Sequence, residues 1–531
     1  MKRHILITII LLIATVLVTV VYFKNLSSST QHTSQVLRTI PNNASLIFEF
    51  NNENGFYDIF ADNKLFSNII GEEKLAELAA LKKLLLQNTL IEPYLNGQNL
   101  FISLHPQKGN NIDFLLTTSV SKGFENELFE RISKQARSGI VINTINIEGK
   151  QGYTVYLNNL KKRFYLIDND EHTLSGSFSK ELIEACAKYD YKTEKQAFVL
   201  LSDRQSSNSL ANLYVNYEAL SPLFEQLFIN KNTDIFKNFR QLQAFAALSL
   251  NYKSDALMLN GATQIREGPE DSYLSLFSHQ QPVINRLKSI FPSTTAYSTN
   301  FAVSDPVKFE SDLADWQTKG DFKTERSAVI KKIKTETGIN PVKEFTRLLS
   351  DEFAIVTTRY REKIAIIQVK DGSKLRTLLI NLSKMNNNDT GQFNYEKLPQ
   401  LLLGDVFNIF KKPYFKVMDN YLVLTNSMSE LASYDDSYIN RKFLNKTEGY
   451  NQFDALLAER SNVSFFIQFK NAQPLLKHDL KPAFYDTFET ITPGWKNFYA
   501  AALQFTSSDK NYYTNFCMSL SNDTAVMTSI F

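Results

Sequence analysis

Apolar and polar residues alternate in short runs along most of the chain, a pattern that predicts a strand-rich body. Leu100–Leu104, Ile112–Thr118, Tyr153–Leu157, Phe164–Asp168, Leu213–Tyr217, Phe245–Tyr252 and Leu257–Ile265 each read as strands. Polar steps such as Asp168-Asn169-Asp170-Glu171 and Met418-Asp419-Asn420 are short enough for antiparallel neighbours. Helical spacing interrupts the strands: Leu375, Leu378, Leu379 and Leu382 form an i, i+3, i+4, i+7 stripe. Glu72–Gln87 opens with acidic residues and carries Lys82-Lys83 late, as the helix dipole prefers. Strands in series with irregularly placed helices predict an α+β fold with mainly antiparallel sheets.

Read against itself, the chain repeats its pattern at an offset near 250 residues. Ile40-Pro41 answers to Phe291-Pro292, and Ile132-Ser133-Lys134 to Leu382-Ser383-Lys384. Gly176-Ser177-Phe178-Ser179 answers to Asn426-Ser427-Met428-Ser429, and Leu213-Tyr214-Val215 to Phe465-Phe466-Ile467. Near the ends, Ala246-Ala247-Leu248 answers to Ala501-Ala502-Leu503. What recurs is the burial pattern. It predicts two tandem, internally duplicated α+β domains over 38–267 and 285–531, with a linker at 268–284. The polar stretches Asp190–Gln205, Asn386–Lys397 and Asn440–Asn451 lack periodicity and read as exposed loops, where binding tends to reside.

The amino end adds a membrane segment. Residues 1–4 read as a short cytoplasmic end, because Lys2 and Arg3 precede an uncharged run from Ile5 to Phe23. Those 19 residues, as a helix, just cross a hydrocarbon core of about 30 Å. The run lacks a small-x-small cleavage site, so it predicts an uncleaved signal-anchor, a transmembrane helix at 5–23. Residues 24–37, rich in Ser and Thr, read as a tether, and the remaining chain is expected in the periplasm or otherwise outside the cytoplasm.

Composition changes this picture little. Lys+Arg 58 against Asp+Glu 55 gives a net charge of +3, without the basic stripe that nucleic acid requires. Forty Phe and 24 Tyr fit an aromatic-packed sheet core, or a cavity for an apolar ligand such as a lipid. The two cysteines, Cys186 and Cys517, make no disulfide framework and read as buried thiols. His4, His32, His105, His172, His279 and His478 form no local metal motif.

Candidate chemistry narrows to Ser-x-x-Lys. Ser119–Lys122, Ser177–Lys180 and Ser507–Lys510 have the spacing that sets a nucleophilic Ser beside a Lys on one helical turn. Lys180 is replaced by Glu430 at the matching position, while Ser177/Ser427 and Ser179/Ser429 persist, which suits helix capping better than catalysis. No catalytic, cofactor-binding or metal residue is assigned, and no cofactor is expected.

The Lys/Arg-led anchor, the start after Ile40-Pro41, the Ser-x-Ser helix start and the doubled unit together resemble a family of bacterial envelope proteins of unknown function. The resemblance spans Arg38 to Phe531, implies localisation and fold, and carries no catalytic residues across. The expected function is a non-enzymatic binding or structural component of the cell envelope. Its expected partners are the lipid bilayer, through residues 5–23, and an envelope protein or lipid, with no nucleic acid. A carrier or sensor of an apolar ligand is the alternative, and a serine hydrolase using a Ser-x-x-Lys pair is a more distant one.

Overall fold

The computed structural model describes residues 35–51, 79–83, 89–95, 97–107, 111–120, 128, 131–132, 140–158, 160–169, 173–190, 209, 211–229, 242–252, 255–266, 272–319, 322–482, 485–486 and 495–521. The expected membrane segment 5–23, most of the tether, most of Glu72–Gln87 and most of Asp190–Gln205 lie outside them.

The chain divides into two compact units. One comprises Met1–Asp62, Glu73–Asn216 and Ala247–Leu250, and the other Asn63–Glu72, Tyr217–Ala246 and Asn251–Phe531.

The first unit contains β1 (Leu46–Asn51), β2 (Asn99–Gln107), β3 (Asn111–Ser119), β4 (Ile140–Ile147), β5 (Lys150–Leu157), β6 (Lys162–Asn169), β7 (Thr173–Ser177) and β8 (Ala211–Asn216). Their antiparallel ladders run β4-β5-β6-β7-β3-β2-β1-β8. Five of these strands, β2, β3, β5, β6 and β8, overlap the runs recognised from alternation. β4 and β7 escape that reading. β4 carries Asn143 and Asn146 and pairs only with β5 among the described residues, and β7, Thr173-Leu174-Ser175-Gly176-Ser177, is buried throughout. The helix Lys180–Lys188 packs Leu182, Ile183, Cys186 and Ala187 against Leu115, Ile147 and Ile167. Ser179 starts it, its Oγ accepting from Leu182 N at 3.3 Å.

β9 (Ala244–Tyr252) has residues in both units. The second unit contains β10 (Ala256–Ile265), β11 (Val283–Ile284), β12 (Thr295–Ala302), β13 (Leu349–Thr358), β14 (Lys363–Val369), β15 (Ser383–Met385), β16 (Thr390–Phe393), β17 (Tyr414–Met418), β18 (Tyr421–Thr425), β19 (Arg460–Ser461), β20 (Val463–Gln468), β21 (Phe498–Ser508) and β22 (Asn511–Leu520). The main ladders run β15-β16-β17-β18-β14-β13-β12-β20-β21-β22-β10, all antiparallel. β11 and β19 form a separate short pair.

An aromatic stack fills the centre of this unit. Phe277, Phe301, Phe309, Phe353 and Phe407 are each less than 2% exposed. Their ring centroids stand 5.1 Å apart for Phe277–Phe301, 5.3 Å for Phe301–Phe353 and 5.6 Å for Phe353–Phe407. Each such pair contributes about 0.5–1.5 kcal/mol beyond the area it buries. Tyr273 and Phe277 belong to the segment read as a linker, whose described part is a 3-10 helix, Tyr273–His279, capped by Ser272 and inserted into this core. Two stretches read as loops are also partly ordered by burial: Thr390–Phe393 is strand β16, and Glu448–Asp454 is a helix that buries Tyr450 and Phe453.

These findings correct the expected fold class. Instead of two tandem domains with sheets of their own, twenty strands count to one antiparallel sheet, and the helix expected at 5–23 lies outside the described residues, so nothing shows it. No helix among the described residues is long and apolar enough to cross a membrane. The reason is visible at β10, which the repeat places at the end of the first copy. It pairs with β22 from Ala256↔Ser519 to Thr263↔Tyr512. Alternation records which face of a strand is buried and carries no record of which strand lies beside it.

Candidate functional site

A polar cleft lies in the second unit, and three local structures build it. The 3-10 helix Tyr273–His279, held by its buried aromatics, delivers Ser278 and His279 and leads into Gln280, Gln281 and Pro282. The helix Pro306–Lys319 is anchored by buried Phe309 and Leu313 and presents Lys308 and Asp312, one turn apart. Asp305 starts that helix, with Oδ1 accepting from Val307 N and Lys308 N, each at 3.0 Å. The β21–β22 hairpin supplies Ser507, Ser508, Asp509 and Lys510. Its two turn residues, Asp509 and Lys510, have φ of 47° and 65°, the left-handed pair of a type I′ turn. The cleft between these elements has a volume of about 720 Å³, within the range of small-molecule sites.

Asp312 is its electrostatic centre. His279 Nδ1 stands 3.3 Å and Lys308 Nζ 3.2 Å from Asp312 Oδ2. Two of the three lining hydroxyls are already used: Ser507 donates to the Gln280 carbonyl, and Ser278 to the Ser275 carbonyl at 2.7 Å. Gln280, 2% exposed, accepts at Oε1 from Ser304 Oγ (3.2 Å) and from Asp305 N (2.8 Å). Its Nε2 is buried and donates to nothing among the described residues. Lys510 is exposed and has no ion-pair partner among the described residues. The exposed Lys510 ammonium calls for an acceptor, while the unpaired Gln280 N–H is buried; the Ser278 and Ser507 hydroxyls have already given their protons to carbonyls.

The two Ser-x-x-Lys pairs that are fully described, Ser177–Lys180 and Ser507–Lys510, do not take the helical arrangement that nucleophilic catalysis needs. Lys510 is a hairpin turn residue and Ser507 lies in β21. Ser177 lies in β7 and donates to the Phe114 carbonyl at 2.6 Å, while Lys180 opens the next helix and pairs with Glu184 at 2.7 Å. Ser119 donates to Gln98 Oε1, and Lys122 lies outside the described residues. The capping reading fits Ser179 and Ser427. Ser427 forms a complete capping box with Glu430, accepting from Glu430 N at 3.2 Å while the Glu430 carboxylate accepts from Ser427 N at 3.0 Å.

Two buried polar clusters have the look of chemistry. On β2, His105 Nδ1 lies 2.8 Å from Asn43 Oδ1, and Nε2 lies 2.8 Å from Ser103 Oγ. Asn43 Oδ1 only accepts, so the proton sits on Nδ1 and Ser103 donates to Nε2. The order Ser–His–Asn imitates a hydrolase triad, yet Ser103 and His105 are both 0% exposed. Burial lowers the His105 pKa to about 3. On β1, the buried Glu49 carboxylate accepts from Asn99 (2.7 Å), Asn212 (3.1 Å) and Tyr214 (2.7 Å). Tyr214 is pushed well above its ordinary value by burial first and by the Glu49 charge second. Both clusters are satisfied networks that fix strand positions. Cys186 and Cys517 are buried thiols outside any disulfide. No group of three potential metal ligands occurs among the described residues.

Sequence reasoning noted Ser507 and Lys510 only as a Ser-x-x-Lys pair and gave His279, Lys308 and Asp312 no role. The i, i+4 spacing of Lys308 and Asp312 was a readable signal, but their meeting with His279 depends on the aromatic stack. In comparisons with known proteins, no protein-family model, no curated protein and no solved structure matches this chain.

Proposed function

We propose that this protein is a non-enzymatic binding component of a bacterial cell envelope, held at the membrane by the apolar segment 5–23, and that the cleft around Asp312 holds its ligand. The observation that carries the reading is the state of the cleft's polar groups. Ser507 and Ser278 have committed their protons to carbonyls, while Gln280 Nε2 and Lys510 remain donors without a partner among the described residues. A group supplying acceptor oxygens, such as a carboxylate or peptide carbonyl, would pair with Lys510, and with the Gln280 amide once that side chain turns outward. Burying an unsatisfied amide donor costs about 1–3 kcal/mol, which a bound acceptor would recover. The aromatic content supports the same reading, since the stack from Phe277 to Phe407 is engaged in ring–ring packing.

The test is site-specific photo-crosslinking in cells from exposed Ser508, with protein and lipid adducts identified, in the parent chain and in Gln280→Leu and Lys510→Glu variants. A single adduct that both substitutions weaken supports the reading. An adduct indifferent to both places the ligand elsewhere, and a turnover abolished by Ser507→Ala would overturn the non-enzymatic assignment. Protease added to spheroplasts should digest the chain beyond Lys24, and full protection would refute the envelope location.

A further inference from the structure

At the other end of β12 from the cleft, the β13–β14 hairpin carries an unusual tip. Thr295, at the start of β12, pairs with Thr358, and Ala302, at its end, with Glu352, while Ser304 beyond that end accepts from Gln281 N at 2.8 Å beside the cleft. The tip is Arg359-Tyr360-Arg361, all three exposed, with Tyr360 at 65%. Its backbone is fixed. Arg361 N donates to Thr358 O at 2.9 Å, Thr358 N to Glu362 O at 3.0 Å, and Arg359 N to Thr294 O at 2.8 Å. Thr358 Oγ1 accepts from Tyr360 N at 3.3 Å. This is a three-residue hairpin loop whose last position takes left-handed backbone, and glycine is the residue that adopts it without strain. Here that position is Arg361, at φ 69°.

The side chains say what the tip could hold. The Arg359 guanidinium lies over the Tyr360 ring, 5.4 Å from its centroid, which aligns the two side chains outward. Neither arginine has an ion-pair partner among the described residues. The one acidic neighbour in the loop, Glu362, is taken by the Thr358 hydroxyl at 2.6 Å. A rigid loop presenting one aromatic side chain between two unpaired guanidinium forks has the composition of a protein-binding hot spot. Each fork matches one carboxylate, and the Tyr ring offers apolar area with a polar end. A membrane surface would be met more naturally by several cations with an insertable apolar wedge, whereas this tip has one ring, partly covered by Arg359.

From this geometry we infer that Arg359-Tyr360-Arg361 is a docking site for a carboxylate-rich protein segment, separate from the cleft and independent of the reading given to it.

The experiment uses the full chain in detergent and poly-L-glutamate as the probe, with anionic phosphatidylglycerol vesicles as a second arm. Parent protein should bind poly-L-glutamate in a salt-sensitive manner, and Arg359→Glu/Arg361→Glu should weaken binding by more than about tenfold. Arg361→Gly, which relieves the left-handed position and so keeps the fold, should weaken it several-fold with thermal stability unchanged or raised. Lys331→Glu/Lys334→Glu, on the exposed face of the helix Lys323–Thr337, changes net charge equally and should leave binding within about twofold. The inference is overturned if the parent protein does not bind, if the lysine variant loses as much as the arginine variant, or if tip-dependent binding is seen only with vesicles.

Discussion

Burial holds the His105 imidazole at a pKa of about 3, from an ordinary 6.5, so the folded protein refuses a proton that the unfolded chain accepts. A depressed histidine contributes fully above pH 6.5 and loses that contribution as the pH falls towards 3, at about 1.4 kcal/mol per pH unit. Denaturant titrations at about pH 7 and about pH 4.5 should show a larger acid loss for the parent than for His105→Gln. Equal losses would mean that His105 does not titrate in this way. Glu352 runs in the opposite sense. Burial raises its pKa, against the lowering effect of Asn300 Nδ2 (2.9 Å), Arg286 N (2.8 Å) and Leu287 N (2.9 Å). Its contribution is therefore full at low pH and declines as the pH rises through the raised value. Glu352→Gln should gain on the parent protein as pH rises, because the Asn300 amide can turn its otherwise unpartnered Oδ1 towards the new NH₂. Glu352→Ala should cost about 1–3 kcal/mol for each donor it strands, read as a lower denaturation midpoint at neutral pH.

At the scale of the element, local rules were the most legible part of this chain. The Ser-x-Ser helix starts, the Leu375–Leu382 stripe and most long strands follow from spacing alone, because each depends on residues within one or two turns. Ser427→Ala should remove the capping box and cost about 0.5–2 kcal/mol in a thermal melt, and an unchanged melt would deny the cap any role. β7 was illegible because Thr173-Leu174-Ser175-Gly176-Ser177 has no alternation, being buried throughout. Its composition is set by neighbours: a Cβ on Gly176 would lie 2.5 Å from the Phe164 ring and 2.7 Å from Leu166. Gly176→Ala should therefore destabilise by about 1–3 kcal/mol, the ordinary range for overpacking, and a neutral result would show that Phe164 can move aside. The cleft was illegible for the same kind of reason. Lys308 and Asp312 share a helix, but the approach of His279 and of the 508–510 turn is a product of tertiary packing.

At the scale of the whole chain, a repeat read from burial pattern leaves strand pairing open. Thr263 and Thr514 place their hydroxyls 2.6 Å apart across the β10–β22 ladder, although 251 residues separate them. A chain ending at Ser508 would leave β10 and β21 without that partner, and unpaired edges recruit other chains. Such a truncation should self-associate in sedimentation experiments where the full chain does not, and a monomeric truncation would show that the ladder is dispensable.

The same ladder fixes an order of birth. β10, an uncharged Ala256–Ile265 segment, emerges from the ribosome about 250 residues before its partner β22. At roughly 5–20 residues per second, about 250 residues take roughly 12–50 seconds to synthesise. For that interval an aggregation-prone strand waits beside a growing chain, so the body cannot lock into place stepwise behind the ribosome. Its yield in a cell should depend on whatever holds nascent chains open, more steeply than the stability of the finished protein would suggest.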